Sequence, residues 1–524
     1  MEFLLFSLVN VSFPVFIFTP IICLTSAVVA HATVSLIISF LPTIQKLPYL
    51  KPSNLPRIIS MSRLKSQLKA LWEEFVFPIT AISGIRVAYD QMKGNSLRFY
   101  TPESWMTLVS SPELIDDIKN ATNDQLSLHA AAKKILMPEY TMNGFNWHDQ
   151  RGIEGIGFVR TLRTLLTSHL PQLTPGVRVI VDRTFAQELG REGSINVLAL
   201  SKKVVTKISA YAFFGLDYAE NTEFIDAAYY YNEDVLYGSE LLRLTPNFLV
   251  PLVGIFIPLF LKRQRTFFYG LVAIIEERMN NPNPQKKYND VIQWIIDTSP
   301  KSKPWTPGRM AFEVMAIWFG SVQGLATTLT FAIYSLCEHP EYIDPLREEM
   351  ESPAGSKFFI EGEGLPLMDS FLKECSRWTP VESVTGRRCT LKGFTFSDGT
   401  HVPKGEWVGI PVGPMLQDAS KYPQPEVFDG FRFASPKLTG REHSRQPEGP
   451  SNFTDVSETW HVWGTGKLTC PGRFFVSYVM KHVIYHILDV YDPEMVEKNR
   501  KYTINWRTLT LPAPGVKANF KARE

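Results

Sequence analysis

From about residue 110 to 350, apolar side chains recur at three- and four-residue spacing, and the runs are broken by turn-forming clusters such as Asn281-Pro282-Asn283-Pro284. That spacing gathers the apolar groups on one stripe of a helix, so this half of the chain predicts helices packed around a core. The pattern changes at residues 384–412. There, Phe394-Thr395-Phe396 runs into Ser397-Asp398-Gly399, which reads as a hairpin turn, and Trp407-Val408-Gly409-Ile410 follows the turn Pro403-Lys404-Gly405. A last helix starts near Pro471 and places Phe475, Val479, Val483, Ile484 and Ile487 on its inner side. The prediction is a mainly α fold with a small β subdomain: helices first, then a small sheet, then a final helix. The polar stretch from Gly440 to Asp455 predicts a loop, and no internal repeat is evident.

Three apolar runs need separate treatment. Phe3 to Ile44 contains no Lys, Arg, Asp or Glu, which exceeds the ~20 residues a spanning helix requires. Its only early charge is Glu2, unlike the basic start of a cleaved leader, so residues 1–45 are expected to stay as an N-terminal transmembrane anchor. Lys46, Lys51, Arg57, Arg63, Lys65 and Lys69 follow, and such crowding holds that flank and the body of the protein in the cytosol. Pro14, Pro20 and Pro42 leave one tilted pass or two short ones open. Residues 46–80 read as a proline-stiffened linker and entry helix, and 81–524 as the catalytic domain. The second run, Phe248 to Leu261, is too short and too broken by Pro and Gly to span; core packing is the expectation. The alternative is a face dipping into lipid, with Lys262, Arg263 and Arg265 meeting headgroups. The third, Val314 to Cys337, has no charged residue and predicts a long helix buried on all sides.

Composition narrows the function classes. Hydrophobic residues make up 45% and charged residues 20% with a net charge of +2, so nothing calls for a nucleic-acid partner. Five scattered cysteines (Cys23, Cys337, Cys375, Cys389 and Cys470) argue against a disulfide framework and for a reducing compartment, leaving at least one thiol available for chemistry.

That thiol is Cys470. In Trp463-Gly464-Thr465-Gly466-Lys467-Leu468-Thr469-Cys470-Pro471-Gly472-Arg473-Phe474-Phe475 the glycines permit a tight loop whose backbone can lie against a flat cofactor, and the cysteine stands just before a helix. The positive helix end is expected to lower its pKa, and N–H groups near Gly472 to bond its sulfur. A phosphate loop would need Gly at His461 and Ser or Thr at Leu468, and zinc would need neighbouring ligands that are absent. A merely structural cysteine is the remaining alternative.

The loop resembles the cysteine loop of cytochromes P450, Phe-Gly-x-Gly-x-His/Arg-x-Cys-x-Gly, and two further motifs precede it in the family's order. Glu374-Cys375-Ser376-Arg377 is similar to its Glu-x-x-Arg, whose spacing puts both charges on one helix face. Phe431-Arg432-Phe433, after Pro425 and Phe428, is similar to its arginine-bearing segment. The resemblance runs from about residue 80 to the C-terminus, and Arg387-Arg388 to Gly405 is similar to fungal members. It implies the cytochrome P450 fold and heme b with Cys470 as the iron ligand. Trp463, Gly464, Gly466, Lys467 and Gly472 would lie against the cofactor. Arg387 or Arg388 would reach a heme propionate, with Arg163 or Arg160 from an early helix, and Glu374, Arg377 and Arg432 would form a structural triad.

This chain departs from the pattern at several positions. Trp463 replaces Phe; either its indole N–H sits near the sulfur, or it merely packs under the heme. Leu468 replaces His or Arg, leaving Lys467 or other arginines to neutralise a propionate. In the long helix the family's Ala-Gly-x-Asp/Glu-Thr-Thr falls on Gly320-Ser321-Val322-Gln323-Gly324-Leu325, without the acid and the threonine that steer protons to oxygen. Gln323 and Gly324 therefore occupy the relay positions, a water or a substrate hydroxyl being the other carriers, and Thr327 and Thr328 one turn on read as packing or back-bonding residues.

The resemblance implies a monooxygenase that oxidises a lipophilic molecule of fungal secondary metabolism, of terpenoid or polyketide type. It would draw electrons from NADPH through a cytochrome P450 reductase and act as a monomer at the endoplasmic reticulum membrane. Two rivals stay open: a heme-thiolate isomerase, dehydratase or oxidative coupling enzyme that dispenses with the usual relay, and a non-catalytic heme-binding protein.

Overall fold

The computed structural model describes residues 61–92, 94–146, 161–219, 221–280, 288–301, 304–441 and 449–523, with side chains from residue 76 onward. The expected anchor, most of the linker, Arg160 and part of the 440–455 loop lie outside the described residues.

Nine helices of eleven residues or more lie among the described residues: α1 (Met61–Met92), α2 (Thr167–Leu189), α3 (Val197–Phe214), α4 (Thr222–Arg243), α5 (Val250–Phe260), α6 (Arg263–Asn280), α7 (Pro307–Glu338), α8 (Pro366–Trp378) and α9 (Arg473–Val490). Short polar side chains start several of them. Asn196 Oδ1 accepts from Ala199 N at 2.9 Å to begin α3, Asn221 Oδ1 from Phe224 N at 3.1 Å to begin α4, and Thr306 Oγ1 from Arg309 N at 3.3 Å to begin α7, where Pro307 fills the first turn.

The centre of the molecule is α7, which packs against α3, α6, α8 and α9. Trp318 on α7 is fully buried, stacks on Phe214 with ring centroids 5.0 Å apart, and donates its indole N–H to Ala228 O on α4 at 2.9 Å. Satisfying that polar group lets so large a ring sit in the core. The expected long apolar helix is thus present, with two differences. It begins at Pro307, and its exterior is not closed all round: Gly320 and Gly324 are exposed, and a Cβ built on either meets nothing within 4 Å. A helix enclosed by neighbours yet bare at two positions one turn apart borders an internal space.

Strands are β1 (Leu97–Tyr100), β2 (Trp105–Leu108), β3 (Leu126–Ser127), β4 (Gly193–Asn196), β5 (Thr385–Thr390), β6 (Phe394–Thr395), β7 (His401–Val402), β8 (Trp407–Ile410), β9 (Tyr491–Met495), β10 (Thr503–Trp506), β11 (Leu509–Pro512) and β12 (Lys517–Ala522). The main sheet has the order β1-β2-β8-β5-β3, with β2 and β8 parallel and the other pairs antiparallel. The hairpin predicted at Ser397-Asp398-Gly399 joins β6 to β7, with Gly399 at φ +86°, a value a side chain would strain. The layout of helices followed by one small sheet needs correction: β1–β3 come from the first quarter of the chain, and β12 pairs with both β9 and β4, the strand that leads into α3. Such long-range pairing leaves no local period to read.

The run Phe248 to Leu261 also departs from expectation. It forms α5, and Phe248 (81%), Ile255 (67%) and Phe260 (70%) are largely exposed. Only Gly254 and Ile257 of the helix are buried, Gly254 lying so close to Tyr140 that a Cβ there would meet the ring at 2.4 Å. The run packs on the body along one edge, where Ile257 and Leu261 join Leu242 in a small buried cluster, and core packing accounts for that edge alone. By length and composition one described helix could cross a membrane; it is α7, the core helix.

Candidate active site

Between a short 3-10 turn, Gly466–Leu468, and the start of α9 stands Cys470. Its N–H donates to Trp463 O at 2.8 Å, closing the loop into a ring of backbone. Gly464 (φ +77°) and Gly466 (φ +64°) take left-handed conformations, and a Cβ on Gly466 would strike Lys119 O at 2.9 Å, so the turn needs glycine for shape and for space. Gly472, by contrast, has open space where a Cβ would point.

Burial pushes the Cys470 thiol up. The backbone N–H groups of Gly472 and Arg473 and the Arg473 guanidinium act against that push without overcoming it. The expectation is a lowered pKa; the helix end does supply its hydrogen bonds, but the net push on the thiol is upward. A coordinated metal ion removes a thiol proton outright, so the arrangement suits a sulfur that is half-buried and completed by iron.

A fully buried charge cluster centres on α8. Glu374 on α8 takes Arg377 Nε at 2.7 Å and Arg377 Nη2 at 2.8 Å, and it accepts from Arg432 Nε at 3.1 Å and Asp429 N at 2.9 Å. Two guanidinium groups face one carboxylate, and backbone carbonyls meet the rest of their donors. Arg377 Nη1 reaches Leu416 O and Pro425 O, each at 3.0 Å, while Arg432 reaches Pro423 O at 2.6 Å and Val427 O at 2.8 Å. A cluster so completely bonded fixes the path of residues 416–432.

The two consecutive arginines of β5 part company, as alternate residues of a strand must. Arg387 donates to Thr508 Oγ1 at 2.9 Å and Glu382 Oε1 at 3.3 Å, while its Nε is buried without a partner among the described residues. Arg388 is 4% exposed, and its only bond among the described residues is to Arg387 O at 2.8 Å. Burial alone pulls its pKa down to about 10. A buried cation without a carboxylate is costly, and an anionic group of a ligand is the natural complement. The residues present therefore fit heme: a half-buried thiol, open space at Gly472 and a buried guanidinium with no carboxylate partner among the described residues.

Arg163, in a π-helical turn (Thr161–Leu166), donates to Lys467 O at 3.1 Å, so the early helix does meet the cysteine loop. The Lys467 side chain itself is exposed. Trp463 does not aim its indole N–H at the sulfur: it donates to Phe453 O at 2.6 Å. On α7, Gln323 Oε1 is buried without a partner among the described residues, and Thr328 Oγ1 bonds back to Gly324 O at 2.9 Å, the back-bonding expected of it. Sequence reasoning missed Arg473, which lies beside the sulfur and donates to Cys470 O at 3.1 Å and Thr454 O at 2.9 Å; its place in the first turn of α9 is the signal that was available.

Comparison with known proteins agrees with this geometry. The cytochrome P450 family model matches residues 112–520. Cytochrome P450 monooxygenase 151 of Postia placenta is 27% identical over 453 residues, covering 84% of this chain and 88% of its own. Cytochrome P450 monooxygenase ntnM of a Nectria species is 28% identical over 430 residues, covering 80% and 79%. Ent-kaurene oxidase of Fusarium fujikuroi is 26% identical over 433 residues, covering 79% of each. Among solved structures, a cyanobacterial CYP120A1 with bound retinoic acid superposes with a TM-score of 0.64 at 17% identity, covering 85% of this chain and 97% of that one, a likeness of fold.

Proposed function

The chain belongs to the cytochrome P450 family, a heme-thiolate monooxygenase by its relatives, and from that premise we propose that it oxidises a lipophilic terpenoid or polyketide of fungal secondary metabolism. Electrons would come from NADPH through a membrane-bound cytochrome P450 reductase. The observation that carries this reading is the pairing of a half-buried Cys470 at the start of α9 with a face of α7 stripped to Gly320 and Gly324.

Bound heme supplies dioxygen activation and attack on an unactivated C–H bond. The chain's own residues do the rest. Cys470 would ligate the iron, and Arg388 would neutralise a propionate, with Arg163 securing the loop through Lys467 O. Glu374, Arg377 and Arg432 would hold the scaffold under the cofactor. Gly320 and Gly324 leave room for a bulky, rigid skeleton to lie against α7, and Gln323 offers a carbonyl to a water or a substrate hydroxyl that carries the proton.

The exposed apolar side of α5, with Lys262 and Arg265 exposed just beyond it, supports a face resting in lipid from which a greasy substrate enters. Together with the charge-free run from Phe3 to Ile44 it supports an anchored enzyme at the endoplasmic reticulum, its catalytic domain in the cytosol.

The second reading is a heme-thiolate isomerase, dehydratase or coupling enzyme, favoured by Gln323 and Gly324 standing where an acid and an alcohol are usual. Expression with a reductase in a host making candidate precursors, followed by mass spectrometry, separates the two. Gain of one oxygen that requires NADPH supports the first; an unchanged or dehydrated mass formed without NADPH, or loss of two hydrogens with dioxygen and NADPH consumed and no oxygen retained, replaces it with the second.

A further inference from the structure

The segment Ser451–Thr454 is pinned to two helices and in turn pins the cysteine loop. From α8, Lys373 Nζ donates to Ser451 Oγ at 2.8 Å and to Asn452 O at 3.0 Å, and Asp369 Oδ2 accepts from Phe453 N at 2.6 Å. From α9, Arg473 Nε donates to Thr454 O, and Lys481 Nζ lies 2.6 Å from Asp369 Oδ1 while also donating to Gly364 O at 2.8 Å. Asp369, Lys373 and Lys481 are all buried, and the bond from Phe453 N to Asp369 is shielded from competing water.

Against this brace lies Trp463. Its indole N–H donates to Phe453 O, its ring meets the Phe453 ring with centroids 5.0 Å apart, and its own carbonyl accepts the Cys470 N–H. One continuous path of short contacts therefore runs Lys481, Asp369, Phe453, Trp463, Cys470. A phenylalanine at position 463 could keep the ring contact but could not donate, leaving Phe453 O without that partner.

We infer that Trp463 is a positioning residue for the Cys470 thiolate: its indole N–H clamps the cysteine loop to the Asp369-anchored segment, and its carbonyl passes that constraint to the backbone of the ligand. The sulfur is thereby held by a directional hydrogen bond where ring packing alone would let the loop shift. This inference concerns the ligand and not the substrate, so it stands or falls separately from the substrate reading above.

The test uses the full-length holoprotein, reduced and carbon monoxide-bound, and follows conversion of the thiolate-type absorption band to the form without thiolate ligation on mild warming. Trp463→Phe is expected to convert roughly five- to tenfold faster than the parent, the factor set by one buried hydrogen bond, with unchanged heme content on isolation and an unchanged midpoint of global unfolding. Asp369→Asn, which weakens the same path from its far end, is expected to convert about two- to fivefold faster. The double variant should convert at about the rate of Trp463→Phe alone, since both act through Phe453. Parental conversion rates in Trp463→Phe, or single effects that multiply in the double variant, overturn the inference. If Trp463→Phe yields no holoprotein, parental behaviour of Asp369→Asn overturns it as well.

Discussion

Arg507 Nη2 lies 2.8 Å from Glu240 Oε1, joining the turn between β10 and β11 to the last turn of α4. Glu103, between β1 and β2, accepts from Arg507 Nη1 at 3.1 Å and pairs with Arg243, which also reaches Glu240 at 3.2 Å. Two acids and two arginines thus knit three remote parts of the chain beside the start of α5. Burial alone would raise the Glu103 carboxyl, but Arg243 and Arg507 outweigh it and hold the pKa below the usual value. The depressed folded value means that this stability is present above pH 4.5 and lost as pH falls through the folded pKa. Glu103→Gln should therefore cost roughly 2–4 kcal/mol at neutral pH in denaturant unfolding, and the deficit should shrink in acid. A deficit that persists undiminished at low pH would assign the effect to packing.

Arg388 gives a prediction of opposite sign for the two forms of the protein. Its guanidinium has a backbone acceptor but no carboxylate, and its pKa is drawn down to about 10, so below that pH the heme-free protein carries the full cost of a buried cation. Arg388→Leu is expected to leave the heme-free protein at least as stable while losing heme to a scavenger on the order of tenfold faster. Equal rates of heme loss would show that a propionate is not its partner.

Much of the site was legible in the residues themselves. The cysteine loop, Glu374, Arg377 and Arg432 lie in short motifs whose spacing mirrors the local geometry that makes them work. The helical half announced itself through its period. What escaped was settled by partners far away in the chain. β2 finds β8 about three hundred residues on, Arg387 and Arg388 are distinguished by Glu382 and Thr508, and the Trp463 N–H goes to a carbonyl on a segment that looked like plain loop. Nor does an apolar run such as Phe248 to Leu261 declare whether protein or lipid will cover it, because both are equally free of water.

The exposure of α5 makes that last point measurable. A fluorescent label on Ile255→Cys, which is 67% exposed, should be quenched by lipid-borne quenchers when the protein is on vesicles, whereas one on Ile360→Cys, 73% exposed on a short helix at Pro353–Glu361, should not. Equal quenching at both positions, or at neither, would remove α5 from the membrane surface.

The most direct test of the whole account is the carbon monoxide difference spectrum of the reduced protein and of Cys470→Ala. The parent should show the band of a thiolate-ligated heme, and the variant should lack it while retaining the fold of α7, α8 and α9. Survival of that band in Cys470→Ala would place the iron ligand elsewhere and contradict the site described above.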